Sequence, residues 1–381
     1  TAPSFLLFLL ARIAIGVGVA TILPTIMGII TFFFPPESQG QATGAWAFVN
    51  SLGHAVGPSL GGLLLGFFSW QSIFWVNIPL AAAAIALALK VLPVDKPTTN
   101  LKTFDWLGAG AMTVLVFSAM IGLTQTTKLG IRSPQVILLW AAAIVSFGFI
   151  LVYERRKNRP FVDLKLFKKR DYLSAIVPIS LQAFTQFGLL VSLPIFLIDM
   201  HKIDDTLAGL IIMSMTLMMA LTSPVAGRLI DRWTTREVCR IGTMLVGAGA
   251  LLMFFMKVDE LNTLTWVVFL LNLAVFGTGF GMIQSSSTVS AIQASSKENS
   301  GAATGFFHMI RFVSASLGST VTGLLLESSG ATATGTFYQS FLMIVILTAL
   351  TIPFTFWMAS NKKQLKETPS LEPYRPAGGS Q

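Results

Sequence analysis

Apolar residues run in long blocks along almost the whole chain, and polar residues collect in short breaks between them. A block of about twenty residues is long enough to cross the hydrocarbon layer of a bilayer as a helix. The blocks predict eleven helices, near residues 5–33, 41–66, 71–91, 105–125, 135–153, 173–198, 206–226, 238–256, 264–290, 300–326 and 337–359. The first block, "FLLFLLARIAIGVGVATILPTIMGIITFFF", is too long for the apolar core of a leader and has no basic region before it, so it reads as a span. The fold class is therefore an all-α integral membrane bundle.

Composition agrees with the pattern. Of 381 residues, 53% are hydrophobic and 11% charged, against about 25% charged in soluble domains. The formal charge of +9 does not point to nucleic acid, because the basic residues sit in the breaks, where they set orientation. The break "YERRKNRPFVDLKLFKKR" holds eight, "GRLIDRWTTREVCR" four, the C-terminal tail four, and Lys90, Lys96, Lys102 and Lys297 complete twenty on one side. The other side holds four: Lys128, Arg132, Lys202 and Lys257. This asymmetry predicts a multi-pass protein of a cell membrane with a cytoplasmic C-terminus. One cysteine, Cys239, and three histidines leave no disulfide framework and no structural zinc site, and no cofactor is expected.

A shift of 261 residues aligns two regions without a gap. "GVGVATI" at 16–22 meets "GTGFGMI" at 277–283, "ESQGQATG" at 37–44 meets "ENSGAATG" at 298–305, and "GLLL" at 62–65 meets "GLLL" at 323–326. Residues 16–65 share thirteen identities with their counterparts. Transporters are often built from such repeated halves, with the substrate site between them. The helices near 105–125 and 135–153 have no partner in the repeat. The expected organisation is a remainder of an N-terminal bundle at 1–92, two central linker helices within 93–160, a C-terminal six-helix bundle at 161–361 and a disordered cytoplasmic tail at 362–381. The repeat places a counterpart of the helix near 173 before Thr1, so three further helices are expected upstream, fourteen in all.

The stretch "GHAVGPSLGG" is costly for a helix, since each glycine loses roughly 1 kcal/mol against alanine and an interior proline about 3 kcal/mol. Gly53, Gly57 and Gly61 recur every four residues and form one smooth stripe, widened by Gly62, while Pro58 kinks the helix. In lipid such stripes let backbones approach.

These residues resemble the major facilitator superfamily. The stretch fits its antiporter signature, G-x-x-x-G-P-x-x-G-G, through Gly53, Gly57, Pro58, Gly61 and Gly62. "ARIAIGVGVA", with Arg12, Gly16 and Gly18, resembles its arginine–glycine motif, and "WQSIFWVNIP" looks like the start of the next helix in the fourteen-helix drug:proton antiporters. "GRLIDRWTTR" resembles its cytoplasmic G-x-x-x-D-R loop through Gly227, Asp231, Arg232 and Arg236, with Thr235 where a second basic residue is common. The resemblance implies a proton-coupled efflux carrier that exports hydrophobic or cationic compounds by alternating access. Its partners would be substrate, protons and the bilayer, with a periplasmic adaptor in a Gram-negative host.

The resemblance assigns the signature helix a dry seal between the halves, against plain tight packing, and gives Arg12 a role beside the proton relay. Arg12 lies about two turns inside its helix, where burial marks function and snorkelling over about 10 Å is the alternative. Gly227, Asp231, Arg232 and Arg236 would form a cytoplasmic latch, with Asp231 capping the following helix and pairing with an arginine. Arg311 and His308 are intramembrane polar groups that either touch substrate or lock two helices. A cavity lined by aromatics and a few polar groups would draw on Asn50, Gln182, Phe184, Gln186, Phe187, Asn272, Phe276 and Gln284. All seventeen acidic residues read as loop or helix-end positions, so the main proton carrier is expected on the upstream helices, with Asp199 as the fallback in this chain. An enzyme is not expected, because no clustered acids and bases or activated nucleophile are present. Nor does a ring of like charge suggest a channel. A dedicated exporter of one metabolite, siderophore or antibiotic stays open, as does a non-transporting scaffold or sensor.

Overall fold

Each apolar block is a helix. The computed structural model describes residues 5–35, 38–92, 105–157, 166–256, 263–294, 300–328 and 333–358. The helices are α1 (Phe5–Phe33), α2 (Gln39–Phe67), α3 (Ser72–Trp75), α4 (Asn77–Val91), α5 (Trp106–Leu129), α6 (Pro134–Tyr153), α7 (Arg170–Pro194), α8 (Asp205–Arg232), α9 (Thr235–Phe255), α10 (Thr263–Ala294), α11 (Ser300–Ser328) and α12 (Ala333–Trp357). Nine stretches among the described residues are long and apolar enough to cross a membrane, which makes the chain a multi-pass membrane protein.

Local chemistry places the ends. The Asp105 carboxylate accepts from the Gly108 N–H at 3.0 Å and caps α5. Asp204 caps α8 through the Thr206 N–H at 3.0 Å, and Thr234 caps α9 through the Glu237 N–H at 3.2 Å. Pro134 opens α6 at a position where its missing N–H costs nothing. The span expected at 71–91 is broken at Val76. Pro79 has no N–H for the Trp75 carbonyl one turn earlier, so the short α3 and the longer α4 replace one helix. The motif expected as a loop at 227–236 is helical through Arg232, because nothing before Trp233 ends the helix and Asp231 is satisfied elsewhere.

Helices α7 to α12 form the bundle that carries the core. Its largest cluster packs Phe196, Phe269, Phe276, Phe280 and Phe341 with Met215, Met219 and Met253. Glycine sets the closest crossings within it. A Cβ at Gly242 would lie 2.8 Å from the Gly279 carbonyl oxygen, and one at Gly281 would lie 2.7 Å from that of Met219. The linker helices α5 and α6 pair with each other and touch the bundle through α11. Their basic end is clasped by Lys157, whose Nζ lies 2.7 Å from Asp105 Oδ1. That hydrogen bond holds the Lys157 ammonium above the usual lysine range. Helix α2 packs along α8 and α10, and α1 along α11. The expected tail at 362–381, and Lys96, Lys102, Lys257 and Lys297, lie outside the described residues.

Candidate functional site

Four helices converge on a buried polar centre: α7, α10 and α11 of the bundle, and α2. Gln182 and Gln186 come from α7, Gln284 from α10, and His308 and Arg311, one turn apart, from α11; all five are buried. Arg311 is only 5% exposed, and its Nη2 donates to Gln284 Oε1 at 3.0 Å. Gln182 Nε2 donates to Gln186 Oε1 at 2.5 Å. From α2, His54 Nδ1 donates to the Asn50 carbonyl oxygen at 2.8 Å, and the His54 ring meets Phe187 edge-on at 6.4 Å. Trp46 meets the His308 ring at 5.7 Å. Asn50 Oδ1, Gln182 Oε1, Gln284 Nε2 and both His308 ring nitrogens have no partner among the described residues. A buried polar atom left so costs about 1–3 kcal/mol, and a centre that concentrates several is one built to meet another molecule.

At the basic end, a carboxylate of α8 caps the start of α2. Both oxygens of Asp231 are used: Oδ1 accepts from the Gly40 N–H and Oδ2 from the Gln41 N–H, each at 3.0 Å. These are orphan donors of the first turn of α2, so the carboxylate of one helix caps another and meets the positive end of its dipole. The approach is possible because Gly40, Gly44 and Gly227 meet without side chains. A Cβ at Gly44 would lie 2.7 Å from the Ser223 carbonyl oxygen and 3.1 Å from Gly227 Cα. This corrects the expected geometry. Asp231 does not cap the following helix, which Thr234 caps, and its partners are amides, not an arginine. Arg232 is exposed at the C-terminus of α8, and Arg236 is half-buried in the first turns of α9.

Asp231→Asn removes the charge and one acceptor. It is expected to weaken the latch by about 1 kcal/mol. Spin labels on the exposed Gln41 and Arg228 should then show a second, longer distance population; an unchanged distribution would count against the latch.

Other expected sites move. Gly53 and Gly57 are exposed, with no described atom within 4 Å of a Cβ at either. The backbone of α2 stays helical through residues 58–62, but the side-chain surroundings of Pro58, Gly61 and Gly62 lie outside the described residues. Gly318, the counterpart of Gly57, packs on α7, where a Cβ would lie 2.7 Å from the Phe184 carbonyl carbon. The closest backbone approach of α2 to the bundle falls at Gly40 and Gly44. Arg12 is not buried: it is exposed on α1, stacked at 5.3 Å over Phe8 and 5.0 Å over Phe74. Gly16 and Gly18 face open space, and Gly16 borders a cavity of about 560 Å³ lined by α1, α5 and α11, His308 among its walls. Asn272 leaves the cavity set, since its Nδ2 donates to the Gly249 carbonyl oxygen at 2.9 Å and ties α10 to α9. Phe184 contributes its backbone to the α7–α11 crossing. Asp199 is exposed.

Sequence reasoning missed Trp46, Gly40 and Gly44, while Phe187, offered as a cavity aromatic, meets the His54 ring. The glycines carried a signal, since they stand four apart inside the repeat's best-matching break. Trp46 carried none, because nothing in a helix rich in apolar residues marks which face meets a histidine.

The sequence model described as Major Facilitator Superfamily matches residues 1–319 and, in a second placement, 175–378. Among curated proteins, the multidrug resistance protein Stp of Mycobacterium tuberculosis is 29% identical over 86% of this chain and 60% of its own. The tetracenomycin C resistance and export protein of Streptomyces glaucescens is 26% identical over 83% and 58%. The riboflavin transporter RibZ of Clostridioides difficile is 28% identical over 81% and 65%. The chain thus spans about three fifths of the length of these relatives. Among solved structures, the human organic anion transporter MFSD10 superposes with a TM-score of 0.57 at 17% identity, over 85% of this chain and 66% of the other, a likeness of fold.

Proposed function

The chain belongs to the Major Facilitator Superfamily, as a membrane transporter and not an enzyme, and on that premise we propose that the full-length protein is a proton-coupled multidrug exporter of hydrophobic compounds. The observation that carries the reading is the buried polar centre between α2 and the bundle, rich in unpartnered donors and acceptors. A centre shared between two halves is where alternating access needs its ligand. The Asp231 cap closes the basic end, which the distribution of lysine and arginine makes cytoplasmic. Opening that cap would expose the centre to the cytoplasm, and re-forming it would commit the bound compound to release outside. The names of relatives, multidrug resistance and export proteins among them, support the same direction of transport.

The helix counterparts that the repeat places before Thr1 would complete a fourteen-helix antiporter. We assign them the contact with the Gly53–Gly57 stripe, by analogy with Gly318 on α7, and the principal proton-carrying carboxylate. Residues 1–92 then belong to the first half, 93–160 to the linker helices and 161–361 to the second half.

Relatives named for one compound, tetracenomycin C and riboflavin, favour a second reading, a dedicated exporter. Inverted vesicles holding the full-length protein, energised to an acid interior and loaded with a pH-sensitive dye, separate the two. Proton release on addition of many unrelated lipophilic compounds supports the multidrug reading, and release with one chemical class supports the dedicated exporter. If no compound releases protons while the protein is folded, proton-coupled export is wrong.

A further inference from the structure

The charge balance of the polar centre is one-sided. Arg311 is buried on α11, and no described carboxylate pairs with it. The Gln284 amide oxygen accepts one of its several N–H groups, and the face of Phe312 stands 6.0 Å away. A buried guanidinium is costly unless an opposite charge and further acceptors meet it. The unpartnered atoms of the centre are of both kinds: Asn50 Oδ1 and Gln182 Oε1 are acceptors, and Gln284 Nε2, beside the guanidinium, is a donor. Gln284 Nε2 is unpartnered while its Oε1 faces the guanidinium, and one turn away neither ring nitrogen of His308 has a partner among the described residues.

The repeat argues that this cation is not a requirement of the scaffold. Residue 50 is the counterpart of residue 311, and it is asparagine. The same level of the first half is thus packed with a neutral amide, whose Oδ1 is also unpartnered. The neighbourhood otherwise suits an apolar body. Trp46 lies against His308, and the His308 ring lines the cavity of about 560 Å³ whose other walls include Met309, Phe312, Val116 and Met120. That volume lies in the range of small-molecule sites.

We propose that Arg311 and Gln284 receive the anionic head of an amphiphilic substrate, so that the transporter favours lipophilic anions over the lipophilic cations that the family resemblance suggests. A fixed anion accepts from the guanidinium and from Gln284 Nε2 and neutralises the buried charge. A lipophilic cation of the same shape meets like charge in a low dielectric and leaves every one of these donors unmet. The inference rests on the exporter reading and narrows it to a substrate class.

The test uses three probes on one apolar body, a butylpyrene ending in sulfonate, in hydroxyl or in trimethylammonium. Fixed charges keep the pH gradient from partitioning them. Accumulation of each is followed in energised inverted vesicles holding the full-length protein. The wild type is expected to move the sulfonate at least tenfold faster than the ammonium. Arg311→Gln should lower sulfonate transport at least tenfold and leave the alcohol within twofold, and Arg311→Lys should recover part of the loss. Should Arg311→Gln fail to fold, the ranking of the three probes on the wild type still decides, together with stabilisation of the detergent-solubilised wild type by the sulfonate and not by the ammonium. Preference for the ammonium, or equal loss of all three probes in a folded Arg311→Gln protein, overturns the anion assignment and leaves export standing, with Arg311 a clasp between α10 and α11. Transport of none of the three by folded wild type overturns the exporter reading itself.

Discussion

Gly227→Leu is expected to lower transport at least tenfold while the protein still folds. The residue sits where α8 crosses α2. A Cβ placed there would overlap the Gly40 carbonyl oxygen, 3.0 Å from the Gly40 carbonyl carbon and 3.1 Å from Gly44 Cα. All three are backbone atoms, so no side chain can swing aside and the helices must separate. Asp231 lies one turn further along α8, and its bonds to the Gly40 and Gln41 amides cannot survive that separation. The loss of a cap of about 0.5–2 kcal/mol would reverse the balance between the closed and open basic end. The bundle of α7 to α12 should be spared, because the crossing lies outside its large apolar cluster. Flux in inverted vesicles, with a thermal melt of the purified protein, checks both halves of the expectation. Wild-type flux from a folded Gly227→Leu protein would show that the crossing plays no part in transport.

Gly318→Leu is expected to cost folding itself. Helix α11 meets α7 at this glycine, where a Cβ would overlap the Phe184 carbonyl oxygen and lie 2.7 Å from its carbon and 2.8 Å from Phe184 Cα. One turn on, Thr322 Oγ1 would stand 2.9 Å from a Cβ on Gly188, so the two helices are locked along a whole turn. Overpacking of this kind costs about 1–3 kcal/mol and more where backbone must move, and here both sides are backbone. Folded yield should collapse, and any protein recovered should melt well below wild type. Even Gly318→Ala should destabilise, although alanine is the better helix former by roughly 1 kcal/mol. Gly148→Ala on α6, with open space around its Cβ, is the control and should be neutral or slightly stabilising. Equal behaviour of the two alanine variants would remove the case for a packed α7–α11 crossing.

The span pattern was legible because it follows from one-dimensional physics. An apolar block of given length in lipid has a helix as its only unpaired-backbone-free solution, and the ends shift only by capping, as at α5 and α9. The small-residue stripes were legible as stripes, but their partners were not. Gly57 and its repeat counterpart Gly318 have the same local signal, yet Gly318 meets the Phe184 backbone while Gly57 faces open space. A spacing of four says that a face is smooth and nothing about what lies on it. The polar centre was half legible: Arg311 meets Gln284 and Gln182 meets Gln186, while Asn272 turns to the Gly249 carbonyl and ties α10 to α9. Arg12 failed for the complementary reason, since burial of a residue on α1 depends on which helices surround it.

From sequence alone came the all-helical membrane class, the repeat that relates α2 to α11, and the side on which the basic residues gather. Each of these follows from composition or from periodicity along one chain. Only the tertiary structure decided that Asp231 caps α2 and not the helix next to it, because a carboxylate finds the nearest orphan amides in space, and Gly40, Gly44 and Gly227 bring those of α2 within 3.0 Å. Only the tertiary structure brought His308 against Trp46 and Arg311 against Gln284, because their helices are far apart in sequence and meet through packing that no local pattern specifies.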